Sequence, residues 1–294
     1  MSHAHQPPVE SLWISVALYL VALVYLRQWL RVAWLVPYGV KAWRAWSFFM
    51  GLLLVWVGLG SPLSVLDHDL LTAHMLQHLL LMTLAPPLIL LGAPLKLLPQ
   101  RTLPRLVELI ARPLRWIPMG QVGRMLLHPA VGWIGATATL VVWHVPRAFM
   151  FGLRSEMWHG IEQASFLATG LLFWWPVLQP SPNSSRWPES SILLYLFLAT
   201  LPCDILSGFL VFCDRVVYPV YSFSSQPFGL AALEDQQCAG ALMWTCVTLV
   251  YVIAGAFVTA RLLSPRSSQE YAIRQSETQA IAPRKSDVQR MEVV

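Results

Sequence analysis

The fold is decided by the stretch LLTAHMLQHLLLMTLAPPLILL, residues 70–91. This run contains no Asp, Glu, Lys or Arg, and a helix needs about 20 apolar residues to cross the hydrocarbon core of a bilayer. Its apolar residues follow one another, whereas the strands of a membrane barrel alternate apolar and polar residues over about ten positions. The stretch therefore predicts a transmembrane α-helix.

Six further stretches are apolar and long enough to span a bilayer, so the chain is predicted to be an all-α, polytopic membrane bundle of about seven transmembrane helices. The predicted spans are Leu12–Leu30, Trp46–Leu66, Leu70–Leu91, Pro129–Phe149, Trp158–Leu178, Ile192–Phe212 and Gln237–Leu262. The composition agrees, because 56% of the residues are hydrophobic and 12% are charged, against about 45–50% and about 25% in soluble domains. A soluble enzyme of this length could not cover so much apolar surface with so few charges.

The net charge of +5 does not indicate nucleic-acid binding, because Lys and Arg lie between the apolar runs and after the last one, as in cytoplasmic loops. We expect the lipid bilayer, and no nucleic acid, as a partner. The positive connectors are the first, the third and the C-terminal tail, and they alternate with neutral or acidic connectors. The positive-inside rule then predicts an N-terminus outside and a cytoplasmic C-terminus, which requires an odd number of spans.

Two regions follow from this pattern. Residues 1–264 are predicted to form the seven-helix transmembrane domain, and the polar residues 265–294 a disordered cytoplasmic tail. Residues 96–128 mix basic and apolar side chains and predict an amphipathic stretch along the inner membrane surface. Pro86, Pro87 and Pro94 are expected to kink or end the third span.

The predicted topology places most of the unusual polar residues near the outer ends of the spans. His74 and His78 are four residues apart, so they share one face of the third span with Met82. His159 and Glu162 share a face of the fifth span in the same way. Ionisable residues inside a span cost at least a few kcal/mol, so they normally face the bundle interior and have a partner.

Several imidazoles, a carboxylate and a thioether at one depth are typical of a site for a soft or borderline metal. Imidazole suits Cu, Zn, Fe and Ni, and methionine shifts the preference toward Cu(I), so copper is the expected cofactor. The expected metal ligands are His74, His78, His144, His159 and Met243. The residues expected to shape the site or its mouth are Asp67, His68, Glu162, Asp235 and Gln236.

Other functions remain open at this stage. Histidines in membrane helices also serve as interhelical hydrogen-bond partners, Glu162 can form such a bond instead of orienting an imidazole, and Met243 can fill a packing gap. Paired histidines on facing helices would also suit axial ligation of haem in an electron-transfer protein or oxidoreductase. A proton or ion transporter and a pure scaffold are further alternatives. The four cysteines show no metal-type spacing and are expected to be packing residues.

Five stretches carry a resemblance to a known family. They are AHMLQHLLLMTLAPPLILLGAP (73–94), WHVP (143–146), HGIEQASF (159–166), LLFWWPVL (171–178) and DQQCAGALMW (235–244). With them the chain resembles the multi-span CtaG family of cytochrome c oxidase assembly factors, which is distinct from the single-span copper chaperone that shares this name in some bacteria. The resemblance covers most of the membrane portion.

The resemblance implies a non-enzymatic, multi-pass protein of the bacterial plasma (inner) membrane that helps to mature a haem–copper terminal oxidase, whose subunits would be its partners. It also implies that copper is bound or delivered to the oxidase. The family's polar motif positions fall on His74, His78, His144, His159, Asp235, Gln236 and Met243. The family commonly has a His after the Glu of the fifth-span motif, where this chain has Gln163. Because an amide is a poor copper ligand, a site that depends on this position is altered here.

Overall fold

The chain folds into a bundle of α-helices, seen in a computed structural model that describes residues 9–35, 41–94, 125, 128–178, 190–224 and 228–263. The helices are α1 (Val9–Leu35), α2 (Ala42–Gly60), α3 (Leu63–Leu66), α4 (Leu71–Leu79), α5 (Ala85–Leu91), α6 (Pro129–His144), α7 (Pro146–Leu153), α8 (Glu156–Leu178), α9 (Ser190–Phe212) and α10 (Ala232–Leu262). A π-helical turn, Leu80–Leu84, joins α4 to α5, and a 3-10 helix, Pro219–Phe223, precedes α10. The predicted all-α class is confirmed. The predicted tail and most of the predicted amphipathic stretch lie outside the described residues.

Among the described residues, five helical segments are long and apolar enough to cross a membrane. They are Leu12–Ala33, Ala42–Leu66, Leu71–Leu91, Ser190–Phe212 and Ala232–Leu262. A sixth span results if α6 and α7 are counted as one bent unit. Helix α8 has 23 residues but is less apolar, because it carries Glu162 and Gln163. The predicted helical membrane bundle is confirmed, whereas seven spans and the orientation of the termini stay predictions.

The predicted fourth span is not one straight helix, because the chain turns by 80° between α6 and α7. Val145 at the turn has an extended backbone, with φ −64° and ψ 126°. Pro146 follows it, and the residue before a proline is disfavoured in the helical conformation. Pro146 in turn starts α7, where its missing N–H is not needed. The turn brings Phe149 of α7 over the end of α4, with its ring 4.8 Å from that of His74.

The π-helical turn and the prolines after it lie where the third span packs against α8. Pro86 has no N–H to bond the carbonyl of Met82, four residues earlier in the chain. The indole N–H of Trp174 donates to that carbonyl instead, at 3.3 Å. Gly170 makes this approach possible, because a Cβ at that position would lie 2.7 Å from the same oxygen. The helix that carries His74 and His78 is thereby held against α8, which carries Glu162.

The N-terminus of α4 is capped by a side chain that lies 164 residues further along the chain. Leu70, the residue before α4, has no capping side chain, so the first N–H groups of the helix need an external acceptor. Asp235 of α10 supplies it, since its carboxylate accepts from the N–H of Leu71 at 2.6 Å and of Thr72 at 3.1 Å. The Thr72 hydroxyl donates to the Asp235 carbonyl as well, at 3.0 Å. These bonds fix where α4 begins and how it is rotated against α10.

We expect Asp235→Ala to lower the free energy of unfolding by about 3 kcal/mol, because it removes two hydrogen bonds to a buried carboxylate and leaves the two N–H groups unpaired. Thermal unfolding of the detergent-solubilised protein would measure this. Glu234→Ala is the matched control, because it removes the neighbouring acid, whose single bond to the Ala231 N–H is exposed. Equal losses for the two variants would contradict the capping role of Asp235.

Candidate metal centre

Two groups of side chains that could ligate a metal ion lie next to each other at the end of the bundle where α4 begins. We call His74, His78 and Glu162 the buried triad, and Asp67, His68 and His159 the surface triad. Within each triad the possible ligand atoms lie within 4.8 Å of one another. The rings of His74 and His159 are stacked with centroids 5.6 Å apart, so the two triads are continuous.

The buried triad joins α4 to α8. His74 and His78 follow each other by one helical turn, and their rings lie 4.3 Å apart. The Glu162 Oε1 atom is 3.6 Å from His74 Nε2 and 3.4 Å from His78 Nε2. All three side chains are buried, with at most 5% of any of them exposed. Gly152 leaves room for the carboxylate, because a Cβ there would lie 2.8 Å from Glu162 Oε2.

The surface triad leads from the buried triad toward solvent. Asp67 is fully buried, and its carboxylate lies 3.7 Å from His68 Nε2 and 3.4 Å from His159 Nε2. The His68 side chain is 54% exposed. Burial raises the pKa of Asp67 to about 6, against the opposing charge of His68. The surface triad therefore offers one imidazole to solvent and a weakened acid behind it.

The polar atoms of the buried triad make no hydrogen bonds with the described residues. Both ring nitrogens of His74 and of His78 and both carboxylate oxygens of Glu162 are buried without a hydrogen-bond partner, although Glu162 Oε1 lies 3.4–3.6 Å from the Nε2 atoms of both histidines. Such groups usually have partners, and each one left unpaired costs about 1–3 kcal/mol. A metal ion bound by imidazole nitrogens and a carboxylate oxygen would satisfy them, so the residues present fit a metal.

Three aromatic side chains cover the triads. Phe149 packs against Tyr218 with ring centroids 4.1 Å apart, and all of Phe149, Tyr218 and Tyr221 are at most 2% exposed. The Tyr218 hydroxyl donates to the His144 carbonyl at 2.8 Å, and the Tyr221 hydroxyl to the Asp67 carbonyl at 3.0 Å. These aromatic side chains pack beside the triads, where His68 is the one exposed member.

The two remaining predicted ligands, His144 and Met243, lie beside His78 and outside both triads. The ring of His144 is 5.8 Å from that of His78, and Met243 is buried near both. These three residues line one cavity of about 40 Å³. His144 and Met243 are therefore adjacent to the buried triad without being part of it.

Asp235 and Gln236 lie away from the imidazoles and bind backbone groups instead. Asp235 caps α4, as described above. Gln236 accepts from the Val217 N–H at 2.7 Å and donates to the carbonyls of Arg215 and Leu210. These hydrogen bonds of Asp235 and Gln236 hold the backbone around the candidate metal centre in place. Gln163, at the position where the resemblance implies His, lies with its amide nitrogen 3.1 Å from His159 Nε2.

Sequence reasoning did not select Met75, whose sulfur is 3.1 Å from His144 Nε2. Met75 lies three residues before His78, a spacing that puts neighbours on one helix surface, so a signal was present. Tyr218 and Tyr221 were also missed, because no periodicity marks residues of a connector. Gln77, which bonds the Gly58 carbonyl at 2.6 Å, was missed among the apolar residues of the same span.

A haem between these imidazoles is not supported. The ring of His78 is stacked on Phe166 at 3.9 Å, and His74 lies against Phe149. In the described part of the chain, the cavity beside His78 and His144 measures about 40 Å³, which is room for about three or four waters at about 10–15 Å³ each. A macrocycle does not fit there.

Comparison with known proteins gives one family match and several distant relatives. The model of the family described as "Cytochrome c oxidase caa3 assembly factor" matches residues 17–264. Uncharacterized proteins of Mycobacterium bovis and Mycobacterium tuberculosis are each 26% identical to this chain over 209 residues, and one of Mycobacterium leprae is 22% identical over 213 residues. The matches cover 68–69% of this chain but 31% of each relative. No solved structure matches.

If the role of Glu162 is to ligate a metal, its replacement by an apolar residue should stabilise the metal-free protein. We expect Glu162→Met to raise the free energy of unfolding of chelator-treated protein by about 1–3 kcal/mol, because it removes two buried oxygens without partners and keeps the side-chain length. Thermal unfolding in detergent with excess chelator would measure the change.

Gln236→Met is the matched control for this experiment, because it replaces a buried side chain of similar size whose hydrogen bonds are made. It should destabilise the protein by a similar amount. A loss of stability in Glu162→Met as large as that in Gln236→Met would show that Glu162 has a structural role.

Proposed function

The chain belongs to the cytochrome c oxidase caa3 assembly factor family, and we propose on that premise that it is a membrane protein that binds copper and presents it during the assembly of a haem–copper oxidase. Copper is cargo in this proposal, and the chain has a non-catalytic role. The observation that carries the proposal is the buried triad, in which two imidazoles and a carboxylate converge without hydrogen bonds.

The donor set favours copper among the available metals. Imidazole ligates copper in both oxidation states, and a site of nitrogen and oxygen donors binds Cu(II) more tightly than the other divalent first-row metals. The Glu162 carboxylate would balance part of the metal's charge in a low-dielectric interior, where an unpaired charge is costly. His74, His78 and Glu162 are the proposed ligands, and His159 lies next to them.

The surface triad supports the same function as a route of entry. His68 is exposed, Asp67 lies between His68 and His159, and the His159 ring is stacked on that of His74. Copper that arrives at His68 would therefore meet a donor at each step toward the buried triad. In the predicted topology this route opens on the outer side of a bacterial plasma membrane.

We expect purified protein in detergent to retain about one Cu(II) per chain after desalting, and His74→Ala/His78→Ala to lose it. Elemental analysis would measure the copper content, and the electron paramagnetic resonance spectrum would show nitrogen ligands in the wild type. His128→Ala is the control, because His128 lies at the N-terminus of α6, outside both triads, and it should retain the metal.

Equal copper content and unchanged spectra in the double variant would contradict the proposal. A well-folded wild type that retains no copper would favour a scaffold role in which the histidines are structural. A Soret band in the purified protein would favour the haem-binding alternative.

A further inference from the structure

We propose that His144 and Met75 form a second copper site, specific for Cu(I), at the edge of a sulfur-lined cavity beyond the buried triad. Its role as a continuation of the metal centre rests on the proposed function, but the binding of Cu(I) by these two side chains does not. The inference combines the tautomer of His144, the atom that faces it and the lining of the cavity.

Hydrogen bonding determines which nitrogen of His144 carries the proton. His144 Nδ1 lies 2.7 Å from the Leu140 carbonyl oxygen. A carbonyl oxygen only accepts, so Nδ1 must donate, and in the neutral imidazole Nε2 then has a free lone pair. An imidazole whose other N–H donates to a backbone carbonyl is the usual arrangement of a metal-ligating histidine.

The atom opposite the lone pair of His144 Nε2 also carries lone pairs and no proton. The thioether sulfur of Met75 lies 3.1 Å from His144 Nε2, and a thioether has no proton to give. Neither atom can donate a hydrogen bond to the other while His144 is neutral. A cation bound by both would use the two lone pairs, and a nitrogen–thioether pair suits Cu(I).

The cavity beside this pair supplies further soft donors. His78, His144, Met75, Met82, Cys203 and Met243 are among the residues that line it. Methionine is flexible enough to fill packing gaps, yet three methionines here surround about 40 Å³ of open space. That space is enough for a small ion. Thioether and thiol donors select Cu(I) over the harder divalent metals, so the cavity differs in preference from the buried triad.

The two sites are close enough to act on one cargo. The His78 ring lies 5.8 Å from that of His144, and it also lines the cavity while its Nε2 faces Glu162. His78 is thus shared between the buried triad and the cavity. Copper that occupies the buried triad already as Cu(I) would have a soft acceptor site next to it, and its oxidation state would not change between the two sites.

The test uses the full-length protein in detergent, loaded anaerobically with Cu(I) from a competing chelator. X-ray absorption at the copper edge should show sulfur ligands in the wild type. In Met75→Leu, which keeps the side-chain volume, the sulfur signal should fall and the Cu(I) affinity should drop at least tenfold. Met157→Leu is the control, because Met157 is 63% exposed, and it should match the wild type.

A separate readout distinguishes this proposal from the function proposed above. The Cu(II) resonance spectrum of the buried triad should be unchanged in Met75→Leu, which also shows that the variant is folded. His74→Ala, which removes a ligand of the buried triad that does not line the cavity, should lose that spectrum and retain Cu(I) with sulfur ligands. Wild-type Cu(I) without sulfur ligands, or an unchanged Cu(I) affinity in Met75→Leu, would overturn the second site even if the buried triad binds Cu(II). Loss of all Cu(I) in His74→Ala would overturn it as well.

Discussion

The contact between the Asp235 carboxylate and the first two N–H groups of α4 is the constraint on which the candidate metal centre depends. It joins positions 164 residues apart in the chain and fixes both the starting point and the rotation of α4. His74, His78 and Met75 all lie within the first two turns of that helix. A small rotation of α4 would move His74 and His78 away from Glu162 and move Met75 away from His144. The carboxylate that holds the helix is therefore as necessary to the centre as any proposed ligand.

Buried polar groups at this end of the bundle differ in whether they make hydrogen bonds. Gln77, Gln236 and Asp235 are as buried as the side chains of the buried triad, and each makes at least one short hydrogen bond with a backbone group. Glu162 is equally buried and makes none. The hydrogen bonds with the backbone identify the first three as groups that hold the fold, whereas Glu162 is available to a ligand.

Sequence periodicity predicted the part of the centre that lies on single helices. The i, i+4 spacing of His74 and His78 predicted their common face, and continuous apolar runs predicted the membrane helices. The partners across helices were not predictable, because they depend on how each helix is rotated against its neighbours. Periodicity did not show that Glu162 faces His78 while Asp67 faces His159, or that Asp235 caps α4. The turn at Val145 was also missed, although Pro146 is a local signal for it.

The donor atoms change at the inner end of the path from the exposed His68 to the cavity. Each triad offers two imidazoles and one carboxylate, whereas the cavity combines imidazole with thioether sulfur. Oxygen donors suit hard cations and sulfur donors suit Cu(I), so the last step inward favours the softer ion. Solvent access falls along the same line, because His68 is 54% exposed and Met75 is completely buried. A protein that only needed histidines to hold its helices together would have no reason to place sulfur donors at the buried end. A protein that receives copper at its surface and retains it away from water has such a reason, because weakly hydrated sulfur sites hold Cu(I) where competing divalent ions bind poorly.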